Sequence, residues 1–294
     1  MSKPMLGNPQ NTIEVLQKYG FSFQKKFGQN FLIDTRVLER IIESAEITKD
    51  DCVLEIGPGI GALTEALVQV AYEVHAFEID KDLEKVLLTE INSSNFNLYI
   101  KDFLKVNLDE FISTLDNTKN IVVVSNLPYY ITSDILTKLI TSKINYKSII
   151  VMLQKEVGEK FTNNQGKKDE NVLTYLARYY CECVKLIDVS LQNFIPQPNI
   201  ESMVIKFTKK ENELKVLNDK KFVDVTKALL KMRRKTIQNN LNAYLPSKND
   251  VKEVLDDFNG NKFLITQNNQ EVGYQVVSWG NERYETEKSF ISLV

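Results

Sequence analysis

The chain has 294 residues, enough for one large domain or two smaller ones around a sizeable core. Hydrophobic residues make up 43% and charged residues 26%, the balance of an ordinary soluble globular protein. The net charge of −2 carries no bulk sign of a nucleic-acid partner, so any RNA-binding surface has to concentrate its positive charge locally.

In chain order, the first eleven residues carry Lys3, Pro4 and Pro9 and no long apolar run, unlike a secretory signal. No stretch approaches the roughly 18 apolar residues of a membrane span, and a cytoplasmic protein is expected. Residues 12–24 predict a short helix and turn, with Ile13 and Leu16 at helical spacing and Gly20 able to end it. The following segment to Asp34 interleaves aromatic residues with Lys25 and Lys26. Asp34 or Thr35 can cap a helix whose apolar positions are Val37, Leu38, Ile41 and Ile42.

Strands and helices then alternate. Strands are predicted at 52–56, 74–79, 98–100, 121–124 and 149–153, with helices at 62–70, 82–90 and 133–140. This βαβ alternation predicts a doubly wound α/β domain. Two helical stretches flank a polar loop at 163–170, and late strands at 184–189 and 203–207 are joined by Phe194-Ile-Pro-Gln-Pro198, too rigid for helix. The pattern becomes charged and mostly helical near 208–213. The expected domains are therefore 1–210, catalytic, and 211–294, helical.

Three cysteines are too few for a disulfide framework, and reduced thiols fit a cytosolic setting. Cys181 and Cys183 would share one face of a strand, but a metal site needs further ligands. The chain has one histidine, His75, inside a predicted strand. We read these thiols as buried, His75 as structural, and expect no metal.

Glu55-Ile-Gly57-Pro58-Gly59-Ile60-Gly61 follows a strand and opens a helix, where glycines let backbone approach a ligand closely. Glu78 closes the next strand, placed to bind the two hydroxyls of a ribose; Asp102 closes the third, where a carboxylate could bind an adenine amine. A dinucleotide site favours Gly-x-Gly-x-x-Gly facing a pyrophosphate. The Gly-x-Gly-x-Gly spacing and acidic surroundings here fit S-adenosylmethionine better, because that molecule has an ammonium and a sulfonium and no phosphate.

Ser125-Asn126-Leu127-Pro128-Tyr129-Tyr130 directly follows the 121–124 strand. An adenine amine is a poor nucleophile because its lone pair is delocalised into the ring. The Asn126 side-chain oxygen and the Leu127 carbonyl can hold its N–H groups and favour a pyramidal nitrogen. Pro128 fixes the local backbone, and Tyr129 can stack on the base. No strong general base is required, since the amine sheds its proton readily once alkylated.

These motifs resemble the ribosomal RNA adenine dimethyltransferases, most closely the type acting on the small-subunit (16S) RNA. The resemblance is carried by Lys26-Phe-Gly-Gln-Asn-Phe-Leu-Ile-Asp34, the glycine loop, Phe77-Glu-Ile-Asp80, Asn126-Leu-Pro-Tyr129, Met152-Leu-Gln-Lys-Glu156, Phe194-Ile-Pro-Gln-Pro198 and Arg233-Arg-Lys-Thr236. It implies a class I methyltransferase sheet with one antiparallel strand and a smaller C-terminal helical domain. It implies cofactor contacts from Asn30, Leu32, Gly57, Glu78, Asp102 and Asn126, to which the loop adds Gly59. It further implies that Phe194 stacks on the target adenine opposite Tyr129. The implied substrate is a pair of adjacent adenines near the 3′ end of 16S rRNA, dimethylated during small-subunit biogenesis by a monomer. A 23S rRNA methylase of the macrolide-resistance type shares the catalytic motifs, and a non-catalytic assembly factor could use the same fold. Glu201-Ser-Met departs from the usual Asp-Ser-Ala, and the match weakens after Gly260.

The local positive charge sits at Lys220, Lys221, Lys227, Lys231, Arg233, Arg234, Lys235 and Lys248, with Phe222, Val225, Leu229, Met232 and Leu241 facing a core. Together with Lys25 and Lys26 near the site entrance, Arg233, Arg234 and Lys235 are expected to contact RNA phosphates.

Overall fold

The computed structural model describes residues 6–21, 29–162, 171–210, 218–231, 237–244, 263–267 and 270–274. Contacts divide the chain into two compact units, residues 1–163 with 181–210 and residues 164–180 with 211–294.

In the first unit, α1 (Pro9–Lys18) starts earlier than the apolar spacing predicts, because Asn8 caps it by accepting from Gln10 N and Pro9 suits a first turn. The two-residue strand β1 (Phe31–Leu32) leads into α2 (Thr35–Ala45), capped by Asp34 through Arg36 N. Then follow β2 (Asp51–Ile56), α3 (Ala62–Val70), β3 (Glu73–Glu78), α4 (Glu84–Glu90) after a 3₁₀ turn, and β4 (Phe96–Ile100). The short α5 (Leu108–Ile112) has too few residues for a periodic signal and was not expected from the sequence. Next come β5 (Asn120–Asn126), α6 (Thr132–Ile140), β6 (Tyr146–Gln154) and α7 (Lys155–Thr162). In the second unit lies α8 (Val172–Tyr180), after which β7 (Cys181–Val189), β8 (Phe194–Ile195) and β9 (Ser202–Lys209) return to the first.

The seven-stranded sheet has the order β4-β3-β2-β5-β6-β9-β7. Pairing is parallel from β4 to β6, and β9 runs antiparallel to both β6 and β7. The order in which strands are added reverses between the parallel neighbours β2 and β5, so their carboxyl ends open a crevice where ligands bind in such sheets. Both faces of the central strands are buried, which explains their continuous β-branched runs. Val53, Val122, Val124, Ile150 and Met152 join one core cluster with residues of α1 to α4. By strand alternation, Leu54, Phe77, Val123 and Val151 occupy the other face. There Phe77 packs on Tyr99, Phe103 and Phe111 at centroid distances of 5.0–5.4 Å.

The second unit joins α8 to α9 (Asp219–Leu230) and α10 (Ile237–Tyr244). Tyr180 donates to Asp219 at 2.9 Å, Tyr179 packs on Phe222, and Asn240 donates to the Leu229 carbonyl. Phe222, Val225 and Leu241 are buried, while Lys220, Lys227 and Lys231 are exposed. This unit also contains an antiparallel hairpin, β10 (Phe263–Gln267) and β11 (Gln270–Tyr274), so it is not wholly helical. No helix among the described residues is long and apolar enough to cross a membrane.

Candidate active site

An open cleft of about 1100 Å³, solvent mouth included, lies over the carboxyl ends of β2, β3, β4 and β5. It is lined by Asn30, Leu32, Gly57, Gly59, Glu78, Asp102, Asn126, Leu127, Pro128 and Tyr129, so the structure gathers there residues spread over a hundred positions of sequence.

The glycine loop is locked from both sides. Gly57 donates to the Phe77 carbonyl at 2.8 Å. Gly59 has φ +61°, and a Cβ there would sit 2.9 Å from the Phe31 ring. Side chains rarely adopt this backbone, and an aromatic ring cannot swing aside cheaply, so both constraints select glycine. Phe31 thereby clamps the N-terminal motif onto the loop. Gln29 adds a hydrogen bond to Asp80 at 2.7 Å, and β1 pairs with β8.

The acids differ in their surroundings. Glu78 accepts from Ile79 N and Asp80 N at 2.8 Å and more weakly from Gly59 N at 3.3 Å. Burial pushes its pKa up to about 7 despite these donors. Glu55 is fully buried, accepts from Thr64 Oγ1 at 2.7 Å, and burial pushes it up to about 8. Among the described residues neither acid is paired with a cation. A ligand bringing positive charge or hydroxyl donors favours their ionised forms. Asp102 caps a 3₁₀ turn through Leu104 N, with its other oxygen 3.7 Å from Lys105.

At the end of β5, Asn126 donates through Nδ2 to the Asn30 carbonyl at 3.2 Å, leaving Oδ1 as an acceptor. Leu127 N is held by the Met152 carbonyl at 3.1 Å. The Pro128 carbonyl is taken by Ile131 N and Thr132 Oγ1, whereas the Leu127 carbonyl has no donor among the described residues. Two acceptors, one side-chain and one backbone, thus stand on adjacent residues at the cleft. Tyr129 is tied to the buried Ser202 on β9 at 2.7 Å, which fixes the ring's position. Burial raises the phenol pKa.

Phe194, expected to stack on the target base, is placed differently from the other expected site residues. It does not line the cleft; its side chain is 2% exposed in the core beneath β1. The reason is the β1–β8 pairing, which sets Phe194 opposite Leu32 and makes it a support for the cleft wall. Lys25, Lys26, Arg233, Arg234 and Lys235 lie outside the described residues. Three contributors went unassigned in the sequence. Tyr130 stands half-exposed at the cleft mouth. Ser202 holds Tyr129, and its motif position was visible though its partner was not. Lys138 on α6 donates to the carbonyls of Phe103, Leu104 and Val106, clamping the turn that Asp102 begins, with no local signal to mark it.

A doubly wound sheet with one reversed strand, a glycine loop after β2, an acid ending β3 and Asn-Leu-Pro-Tyr ending β5 define a class I methyltransferase that uses S-adenosylmethionine. The family model for ribosomal RNA adenine dimethylase matches residues 20–277, and the chain belongs to that family. It is 42% identical over 248 residues to ribosomal RNA small subunit methyltransferase A of Clostridium botulinum, covering 84% of this chain and 89% of the relative. It is 46% identical over 240 residues to the protein of that name from Lachnoclostridium phytofermentans, covering 81% and 83%. Among solved structures it resembles a dimethyladenosine transferase from Plasmodium falciparum, with a TM-score of 0.59 and 26% identity over 78% of this chain and 80% of that one. It also resembles the 23S rRNA methyltransferase ErmE, with a TM-score of 0.57 and 26% identity over 78% and 90%.

Proposed function

We propose that this enzyme dimethylates N6 of two adjacent adenines near the 3′ end of 16S rRNA during small-subunit biogenesis, acting as a cytoplasmic monomer without a metal in catalysis. The observation that carries the chemistry is the pair of acceptors, Asn126 Oδ1 and the Leu127 carbonyl, on adjacent residues at the cleft.

The donor set fits S-adenosylmethionine, which supplies an electrophilic methyl group on a sulfonium. Glu78 keeps acceptor capacity for ribose hydroxyls, since its protein partners are backbone N–H groups. Asp102 is placed for an adenine amine, and Gly57 and Gly59 allow close backbone approach. Asn30 and Leu32 form the wall contributed by the N-terminal motif. Asn126 and the Leu127 carbonyl orient the target amine and concentrate its lone pair on nitrogen, and positioning with electrostatics supplies most of the rate. Tyr129 stacks on the base, held by Ser202. Lys25, Lys26, Arg233, Arg234 and Lys235 contact phosphates.

The small-subunit target is supported by 42–46% identity to relatives named ribosomal RNA small subunit methyltransferase A, over 81–84% of this chain. The test is methylation of purified under-modified small subunits and of large subunits, followed by mapping of the modified adenines. Two neighbouring dimethyladenines in 16S rRNA are expected. Modification of 23S rRNA instead supports the large-subunit reading, and no methyl transfer to either supports a non-catalytic assembly factor.

A further inference from the structure

At the amino ends of β2 and β3, opposite the cleft, three potential ligands from distant sequence positions meet. Cys52 is the register partner of Glu73 in the parallel pair, and His75 follows Glu73 by two residues, so all three side chains share one sheet face. The Cys52 Sγ, a Glu73 carboxylate oxygen and a His75 ring nitrogen lie within 4.8 Å of one another. No such set is visible in the sequence, because Cys52 and His75 are separated in the chain and the Cys181-x-Cys183 pair has no histidine beside it.

We propose that Cys52, Glu73 and His75 form a binding site for a thiophilic divalent cation of the zinc type. A thiolate, an imidazole and a carboxylate are the ligand types that zinc takes, and water would complete a tetrahedral site. His75 is oriented as a metal-binding histidine is. Its Nδ1 hydrogen-bonds the Tyr99 hydroxyl at 3.2 Å, and Phe111 packs edge-on against the ring, so Nε2 is the nitrogen left for the metal. Nε2 lies 3.1 Å from Glu73 Oε2, and a cation between them replaces a shared proton. Burial pushes the free Cys52 thiol up to about 11, with the Glu73 charge adding to the rise, so a bound cation is what would hold it as a thiolate. Cys52 and His75 are buried, and the partly exposed Glu73 provides the path from solvent. Binding releases the Cys52 thiol proton to solvent, leaves His75 neutral, and cross-links β2 to β3.

The test is titration of the full chain with cobalt(II) as a spectroscopic stand-in and zinc as competitor. One equivalent is expected to bind with a thiolate-to-cobalt charge-transfer band that zinc abolishes. Cys52→Ser and His75→Gln should remove the band, Tyr99→Phe should weaken binding roughly tenfold or more, and Cys183→Ser should leave it intact. Absence of the band in the wild type, or its loss only in Cys183→Ser, overturns the proposal. Should Cys52→Ser fail to fold, Glu73→Gln decides, because its side chain reaches solvent: unchanged cobalt affinity in that variant also overturns it.

Discussion

At the start of β2, Asp51 is closed off from solvent, yet its carboxyl is held below the usual range; at the far end of the same strand, Glu55 lies deeper and is raised to about 8. Burial acts upward on both. Asp51 is rescued by Lys147 at 2.9 Å, Asn120 at 2.9 Å and Thr48 N at 2.7 Å, which together outweigh the loss of water. Glu55 has only the Thr64 hydroxyl, with Glu78 nearby as a second acid. Depth sets how strongly a carboxyl resists ionising, and its partners decide whether that resistance is overcome. The first arrangement completes its own electrostatics and serves stability. The second leaves carboxylates short of positive charge at the place where a cationic cofactor would lie.

The largest way to sharpen this contrast is Asn126→Ala. Turnover should fall on the order of 10²–10³-fold, with melting temperature unchanged and cofactor affinity lowered through the lost Asn30 tie. Wild-type-like turnover would break the reading of Asn126 as the amine's acceptor. At the opposite end, Lys147→Met should cost roughly 2–3 kcal/mol in denaturant unfolding. That is below the cost of splitting a fully buried pair, because Lys147 stays about a third exposed. Methylation per folded molecule should be unchanged. Gly59→Ala should combine both phenotypes, losing roughly 1–3 kcal/mol of stability through its left-handed backbone and the Phe31 contact, with weaker cofactor binding measured by calorimetry.

The pH dependences should run in opposite directions. Glu55 and Glu78 have folded pKa values near 8 and 7, above the ordinary 4.5, so the native state retains protons that the unfolded chain has lost. Their contribution to the stability of the ligand-free protein is greatest below about pH 4.5 and disappears as pH rises through 7 to 8. Asp51 has the opposite sign, stabilising above its ordinary 3.8 and losing that contribution as pH falls. Since a cationic ligand prefers ionised acids, cofactor affinity should rise from pH 6 to 8 with net proton release, seen as buffer-dependent calorimetric heats. Flat affinity and no proton release would detach these acids from the cofactor. The smallest effect is expected for Ser202→Ala, which frees the Tyr129 hydroxyl at a cost of about 1 kcal/mol and should raise the RNA KM more than it lowers kcat.

Much of this molecule was legible before folding. The β-branched run at 121–124, the helix at 62–70 and the Asp34 cap follow from periodicity and capping chemistry, which act over a few residues, and all three are present. Glu78 and Asp102 line the cleft as expected from the sequence, because a parallel strand must end where its loop begins and clefts form at such ends. What the tertiary structure alone decided are relations between distant segments. The β1–β8 pairing buries Phe194 instead of presenting it to the cleft, and two-residue strands leave no periodic trace. Lys138 reaches a turn more than thirty residues away, and Ser202 reaches Tyr129 over seventy. Cys52 meets His75 only because β2 and β3 are register partners. Which residues stand at the strand ends was set by the sequence, since a residue's type and its place at a strand end are local properties. Their partners, burial and charge state were set by packing, because each depends on atoms that the chain brings close only when the sheet is assembled.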